Sequence, residues 1–419
     1  MQKRISNTES AITLILGLVC LYASRAYAMP VAALLSPVFM IRYLRTRRLL
    51  PGSLILATAA SLTMVVAFRG LNGAMFNSTA IYCVVMIVTT VIGLIPVILD
   101  RYYSARISTW TLTLIYPSLK TFLEYAGSLN SPFGEWGSGA ALFAGWLPLS
   151  QIVSITGIWG LSFLICWFAS TVNFVWDKKG LWNKTIPAVT PFFATILLVT
   201  GYSTLKLANK DLVPNVKVAA VLANDTLQFI PKKDFYRQLE AFGKGRMSAD
   251  SIYYFNERFA ESNHCLLEQT GRAATEGAKI IFWAEGNGMV IKPNESSLIQ
   301  HASALAVEKK IYLGMSVEVF NSREKNPVEN KIILFKPDGS IAWEYFKHFP
   351  VGIENETMVK GTGGIKTLQT PYGKIAAVIC FDSDFIRFAR EAGKANADIL
   401  FAPSNDWQAI AVFRGKITR

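Results

Sequence analysis

Between residues 8 and 206 one apolar run follows another, with little polar sequence between them. A helix needs about 20 apolar residues to cross a bilayer. In lipid each backbone N–H and C=O must be satisfied within the chain, so such runs fold as helices. Seven candidate spans can be read, at 8–24, 27–41, 53–69, 80–99, 107–126, 151–176 and 186–206. The second is short and holds Pro30 and Pro37; the fifth carries Lys120 and Glu124 near its end. After residue 210 charge becomes frequent and no run is long enough to span. The expected organisation is a transmembrane domain of about seven helices over 1–210 and a second domain over 211–419.

Composition agrees with that division. Charged residues make up 17% and hydrophobic residues 52%, against a soluble norm of roughly 25% charged. This excludes a disordered chain, a coiled coil and an ordinary soluble enzyme. The net charge of +13 would suit nucleic acid, but the basic residues sit mostly in short loops. Lys3 and Arg4 precede the first run. Arg42, Arg45, Arg47 and Arg48 follow the second. Arg101 and Arg106 follow the fourth, and Lys178, Lys179 and Lys184 follow the sixth. The alternate loops hold mainly Arg25 and Arg69. The positive-inside rule then puts the N-terminus in the cytoplasm. Seven crossings put the second domain on the outer face of the cytoplasmic (inner) membrane, with no nucleic-acid partner. Lys3-Arg4, an apolar stretch and Ala26-Tyr27-Ala28 also have the form of a secretory signal; cleavage there would not move the outer domain.

The second half alternates strand and helix patterns. Short apolar strands are expected at 217–222, 280–283, 311–319, 374–379 and 398–402, and helices at 248–276, 295–309 and 384–394. Asn330–Lys336 and Ile341–Phe346 flank Pro337-Asp338-Gly339-Ser340, a hairpin signal. The sum is an α/β domain with a mixed sheet.

Three reactive residues fall just after expected strands. Glu285 follows 280–283, Lys347 follows 341–346 and Cys380 closes 374–379. The carboxyl ends of strands are where sites assemble in α/β sheets. A thiol with a pKa near 8.5 needs a base or a cation beside it to act at neutral pH. Glu285 can take its proton, and Lys347 can hold the oxyanion of a tetrahedral intermediate, with the Phe381 backbone N–H as second donor. Together they would run acyl transfer through a thioester in two half-reactions.

Phe282-Trp283-Ala284-Glu285, Tyr345-Phe346-Lys347-His348 and Ala377-Val378-Ile379-Cys380-Phe381-Asp382 resemble the three motifs of the nitrilase (carbon–nitrogen hydrolase) superfamily. The stretch Ala397 to Trp407 adds to the likeness. A multi-span half in front of such a domain resembles the apolipoprotein N-acyltransferase family. The resemblance implies a nitrilase-like α-β-β-α sandwich, with Glu285 as general base, Lys347 as oxyanion stabiliser and Cys380 as nucleophile. Glu354, seven residues after Lys347, matches the supporting glutamate, although the usual acyltransferase loop has one more residue between the two. Phe381-Asp382 stands where many members have Tyr-Glu. The implied reaction moves an acyl chain from a phospholipid to Cys380, then to the N-terminal amine of a diacylglyceryl-cysteine lipoprotein. No cofactor or metal is implied. The resemblance also implies further strands, helices and a last membrane span after Trp407, so the domain reads as incomplete, with open sheet edges.

Other features read as structure. Of five cysteines, Cys20, Cys83 and Cys166 lie within apolar runs, so no disulfide scaffold is expected. His264 and Cys265 are neighbours on a helix and diverge. His264, His301 and His348 are too scattered for a metal site. Gly361-Thr362-Gly363-Gly364 lacks the ending of a phosphate loop and reads as flexible loop. Phe229 to Arg237 mixes aromatics with cations, which suits a headgroup boundary or an ordinary surface helix. Two rivals stand beside the acyltransferase reading: a membrane-tethered amidase using the same triad, and an inactive truncated family member.

Overall fold

The computed structural model describes residues 7–72, 75–76, 78–135, 138–179, 181–208, 215–223, 238, 241–322, 324–352 and 354–406. Phe229–Arg237 and Trp407 lie outside these residues. Contacts divide the chain into one unit within Met1–Asp211 and another over Leu212–Asp406.

Among the described residues the first unit has seven principal helices: α1 (Asn7–Ala26), α2 (Pro30–Thr46), α3 (Leu49–Ala67), α4 (Thr79–Ser104), α5 (Ile115–Asn130), α6 (Ile158–Asp177) and α7 (Trp182–Ala208). Among the described residues, α1, α3, α4, α6 and α7 are long and apolar enough to cross a membrane. Helices α2 and α5 have 17 and 16 residues and fall short. The fifth run yields less helix than its apolarity promised because its first part, Trp110–Leu114, is a 3-10 helix. Pro117 has no N–H to bond the Thr113 carbonyl, so the α pattern cannot extend back through it. The sixth run likewise opens with a one-turn piece, Val153–Thr156, and Gly157 at φ +63° separates it from α6.

This unit is apolar outside and ionic inside. Ile15, Val19, Leu54, Leu62, Ile81, Val84, Leu197 and Leu198 are exposed, an apolar surface far beyond what a soluble monomer shows. Arg42 and Arg45 are only 7% and 9% exposed. Arg45 grips Asp100 with two bonds of 2.8 Å and reaches Asp177 at 2.7 Å. Arg42 bonds Glu9 and Asp177, each at 2.8 Å. The sequence reading placed both arginines in a loop. Helix α2 instead runs on to Thr46 and turns them into the bundle, where the carboxylates of α1, α4 and α6 meet them.

The second unit has two sheets. The larger joins β1 (Val218–Val221), β2 (Ile280–Trp283), β4 (Tyr312–Phe320), β5 (Val328–Phe335) and β6 (Ile341–Phe346) in that order, with β3 (Gly288–Ile291) also on β4. Pairs β1–β2, β2–β4 and β3–β4 are parallel, while β4–β5 and β5–β6 are antiparallel. The smaller sheet is β7 (Lys366–Thr370), β8 (Gly373–Ala377) and β9 (Ile399–Phe401). Strand side chains alternate faces. Ile281 and Trp283 of β2, with Leu313, Met315 and Val317 of β4, pack in one core with Leu266 of α8 (Ala249–Thr275) and Leu298, Ala302 and Ala306 of α9 (Glu295–Lys309). Phe282 points the other way and stacks on Phe401 of β9, with centroids 4.1 Å apart. Gly314 makes room for that ring, because a Cβ there would overlap it. Helix α10 (Ile386–Lys394) buries Phe388 and Ala392.

The sequence reading missed β3 and β7. Gly288-Met289-Val290-Ile291 is too short for a periodic signal, and Lys366-Thr367-Leu368-Gln369-Thr370 has one strongly apolar residue in five.

Candidate active site

Three strand ends deliver Glu285, Lys347 and Cys380. Strand β2 ends two residues before Glu285, and β6 ends immediately before Lys347. Strand β8 stops at Ala377 rather than 379. Cys380 opens a 3-10 turn, Cys380–Asp384, with φ +46°. That backbone region is uncommon for a residue with a side chain and costs on the order of 1–3 kcal/mol. Surrounding bonds hold it there: Cys380 N donates to Pro403 O at 2.8 Å, and Ser383 Oγ donates to Cys380 O at 2.7 Å.

The structure brings Glu285, Lys347, Glu354 and Cys380 together. Lys347 Nζ donates to Glu285 Oε1 at 2.8 Å and to Glu354 Oε2 at 2.6 Å. Glu285 Oε1 also accepts from Asn330 Nδ2 at 2.9 Å, and its Oε2 from Asn405 N at 3.1 Å. The Cys380 thiol donates to the same carboxylate. Glu354 Oε2 accepts from Val351 N at 2.9 Å, so the shorter loop noted in the sequence still brings this glutamate to the lysine. Lys347, Glu285 and Cys380 are only 1%, 4% and 6% exposed. Charges this buried need partners.

Burial by itself would push Glu285 up, but the Lys347 ammonium and the bonds from Lys347, Cys380 and Asn330 hold its carboxyl below the usual range. It is therefore ionised and able to take a proton. Burial would lower Lys347, yet Glu285, Glu354 and Cys380 together keep it well above its ordinary value. It stays a cation, which is the state an oxyanion partner needs. Glu354 is pushed up, first by burial and then by Glu285, against the pull of Lys347. Among the described residues no bond ties up the Phe381 N–H, which lies in the first turn of the 3-10 segment.

Several residues of this site went unread in the sequence. Asp382, noted only for standing in place of Glu, is fully buried and works as a clamp. It accepts from Tyr345 Oη at 2.8 Å, from His348 N at 3.1 Å and from Phe349 N at 2.8 Å. It thereby ties the turn after Cys380 to the loop after Lys347. Asn330 was read only as a strand residue. Glu318, at the end of β4, was not singled out. A Cβ on Gly286 would lie 3.2 Å from Glu318 Oε1 and 3.5 Å from Asn405 Nδ2. Burial, then the nearby Glu354 and Glu285 carboxylates, push Glu318 up to about 8. No sequence signal distinguishes it from a surface glutamate, since it alternates correctly within a strand.

The glycine loop needs correction as well. Gly361 N donates to Lys347 O at 2.8 Å, and a Cβ at 361 would overlap the Phe346 carbonyl. The glycine is a close backbone approach behind Lys347, not slack. His264 pairs with Glu268 at 3.4 Å, while Cys265 accepts from Gln269 at 3.3 Å, so these neighbours share no chemistry. Among the described residues no group of histidines, cysteines and carboxylates could hold a metal.

Residues 217–414 match the carbon-nitrogen hydrolase family, and this part of the chain is a domain of that superfamily. The chain is 32% identical over 168 residues to a citrullinase of Francisella tularensis, covering 36% of this chain and 58% of that protein. It is 27% identical over 158 residues to a probable hydrolase, nit2, of Schizosaccharomyces pombe, covering 33% and 57%. The chain thus spans less than two thirds of the length of either relative. Among solved structures, an amidase from Nesterenkonia sp. is similar with a TM-score of 0.33 and 17% identity, over 37% of this chain and 62% of that one.

Proposed function

We propose that this chain is a membrane-bound acyltransferase. It would carry an acyl group from a phospholipid, through a thioester on Cys380, to the N-terminal amine of a diacylglyceryl-cysteine lipoprotein. The observation that supports this best is one polypeptide holding both a buried Cys–Glu–Lys–Glu cluster and five helices apolar enough to cross a bilayer. A catalyst whose two substrates both lie in lipid gains from being tethered there.

In the first half-reaction Glu285 takes the thiol proton and Cys380 Sγ attacks the ester carbonyl carbon of the donor. Lys347 Nζ and the Phe381 N–H hold the oxyanion. The intermediate collapses, the C–O bond breaks, and Glu285 returns the proton to the departing lysophospholipid oxygen. In the second, the acceptor amine attacks the thioester carbon and loses a proton to Glu285. The C–S bond breaks, an amide forms, and the thiolate regains that proton. Glu354 would position Lys347 between the two carboxylates.

An amidase reading uses the same groups with an amide as donor and water as acceptor. The carbon–nitrogen hydrolase match and the relatives named as citrullinase and hydrolase favour it. Mass spectrometry of the full chain incubated with phospholipid separates the two. A hydroxylamine-labile acyl mass on Cys380, absent from Cys380→Ala and discharged by an N-terminal cysteine lipopeptide, is expected. No adduct with phospholipid, but turnover of a small amide, would replace the acyltransferase with the amidase.

A further inference from the structure

Strands β4 and β5 pair antiparallel with Glu318 directly opposite Asn330. Such partners point to the same face, with Cβ atoms about 4.5–5.5 Å apart. Met315 and Val317 of β4 and Ile333 of β5 face the helix-covered core. Glu318 and Asn330 therefore face the other way, toward Glu285. Asn330 is fully buried. Its Nδ2 donates to Glu285 Oε1 at 2.9 Å, but its Oδ1 has no partner. A buried acceptor left without a donor is costly. Turned over, the same amide would set Oδ1 against the Glu285 carboxylate. A donor at Oδ1 would satisfy the atom and fix the amide the right way round.

Glu318 is placed to supply that donor. Among the described residues its carboxyl makes no hydrogen bond or ion pair. It packs on the turn that carries Glu285, since a Cβ on Gly286 would lie 3.2 Å from Glu318 Oε1. The neutral Asn405 amide borders the same glycine at 3.5 Å. The charged groups that act on Glu318 are Glu354, Glu285 and Lys347. Lys347 already bonds both other carboxylates, so no cation is left for a third. Burial first, then those two carboxylates, push Glu318 up to about 8, and at neutral pH it holds its proton. A neutral carboxylic acid has an O–H to give, whereas a carboxylate only accepts.

We propose that Glu318 is a positioning residue whose acid form donates to Asn330 Oδ1 and so holds the Asn330 amide with Nδ2 on the Glu285 carboxylate. Ionised, it would compete for Nδ2 and set a third anion beside Glu285 and Glu354. The cluster then has an alkaline limit set by a carboxyl that touches no reacting atom. The proposal rests on the reading of Glu285 as the base for Cys380. It does not depend on the acyl donor or acceptor, so it holds for the acyltransferase and the amidase alike.

The test uses the full chain in detergent with p-nitrophenyl butyrate, an activated ester that needs no lipid recognition. Acyl mass on Cys380 is followed at pH 7 and pH 9, with Cys380→Ala as background. The ratio of the parent rate to the Glu318→Gln rate cancels the titrations of Cys380, Lys347 and Glu354. The glutamine amide donates at either pH. The ratio should therefore fall about tenfold from pH 7 to pH 9, as the acid form of a group near 8 drops from about ten elevenths to about one eleventh. Glu318→Leu, with no donor, should acylate at least tenfold more slowly than Glu318→Gln at both pH values. On an Asn330→Ala background Glu318→Leu should add no further loss, because it acts through Asn330. Ser316 Oγ is also buried without a partner, and Ser316→Ala should keep the parental profile. Circular dichroism checks folding; if Glu318→Leu misfolds, the pH dependence of the ratio decides. A ratio unchanged with pH, Glu318→Leu as fast as Glu318→Gln, a full further loss on the Asn330→Ala background, or a loss in Ser316→Ala equal to that in Glu318→Leu overturns the proposal alone, provided Glu285→Gln is inactive. No adduct in the parent, or a parental rate in Glu285→Gln, overturns the reading of Glu285 as base and the proposal with it.

Discussion

At the scale of single residues the site is a balance of charges. Glu285 and Glu354 share one lysine, and Glu318 stands beside them without a cation of its own. Its folded-state pKa of about 8 lies above the ordinary 4.5. Between those values the native state keeps a proton that the unfolded chain gives up. Stability therefore falls as pH rises through this window, by up to about 1.4 kcal/mol per pH unit, and the penalty is complete above pH 8. Glu318→Gln should flatten this slope, seen as a smaller drop in thermal midpoint between pH 5 and 9 than the parent shows. An identical slope would mean that Glu318 titrates normally. Asp382 makes the opposite case, a buried acid whose bonds are all made. Asp382→Ala leaves Tyr345 Oη and two backbone N–H groups unpaired, at about 1–3 kcal/mol for each orphaned donor. A lower melting temperature and slower acylation of Cys380 are expected together, with Asp382→Asn partway between. The gathering of Glu285, Lys347 and Cys380 was legible because each comes shortly after an expected strand. The roles of Asp382, Asn330 and Glu318 were not, because they depend on partners far along the chain.

At the scale of elements, apolar pattern decided most of what was legible. Trp283, Leu313 and Ile333 announce buried strands without ambiguity, and the Pro337–Ser340 turn announced its hairpin. What stayed hidden were short or polar pieces made into strands by a neighbour: β3 exists by pairing with β4, and β7 by pairing with β8. Helix ends were hidden for another reason. The basic tail of α2 looks like a loop until the carboxylates of three other helices are in place to receive it. Glycines were misread where they serve contact rather than freedom. Gly361→Ala should push its loop off the Phe346 carbonyl and shift Lys347, whose carbonyl Gly361 bonds. We expect at least a tenfold loss of Cys380 acylation with the helical unit unaffected, measured by adduct formation and by far-ultraviolet circular dichroism. Acylation at the parental rate would show that the close approach is dispensable.

Taken whole, the chain joins two units with opposite surfaces. One turns its apolar residues outward and its ions inward; the other buries its apolar residues in the usual way. In the first unit the ion cluster is the vulnerable point. Arg45→Met strands Asp100, which is fully buried, and breaking a buried pair costs about 3–5 kcal/mol. Loss of the monodisperse peak in detergent is expected, and an Arg45→Met, Asp100→Leu double variant should recover much of it. In the second unit the candidate active centre is assembled from distant parts of the chain. Lys347 meets Glu285 across 62 positions, and Asn405 meets it across 120. Cys380 in turn needs the Pro403 carbonyl to hold its turn. As the ribosome makes the chain from its N-terminus, the thiol emerges before the residues that orient it and its base. On the nascent protein the candidate nucleophile thus stays without its turn, and the cluster is complete only after residues 403–405 have left the ribosome and found their place.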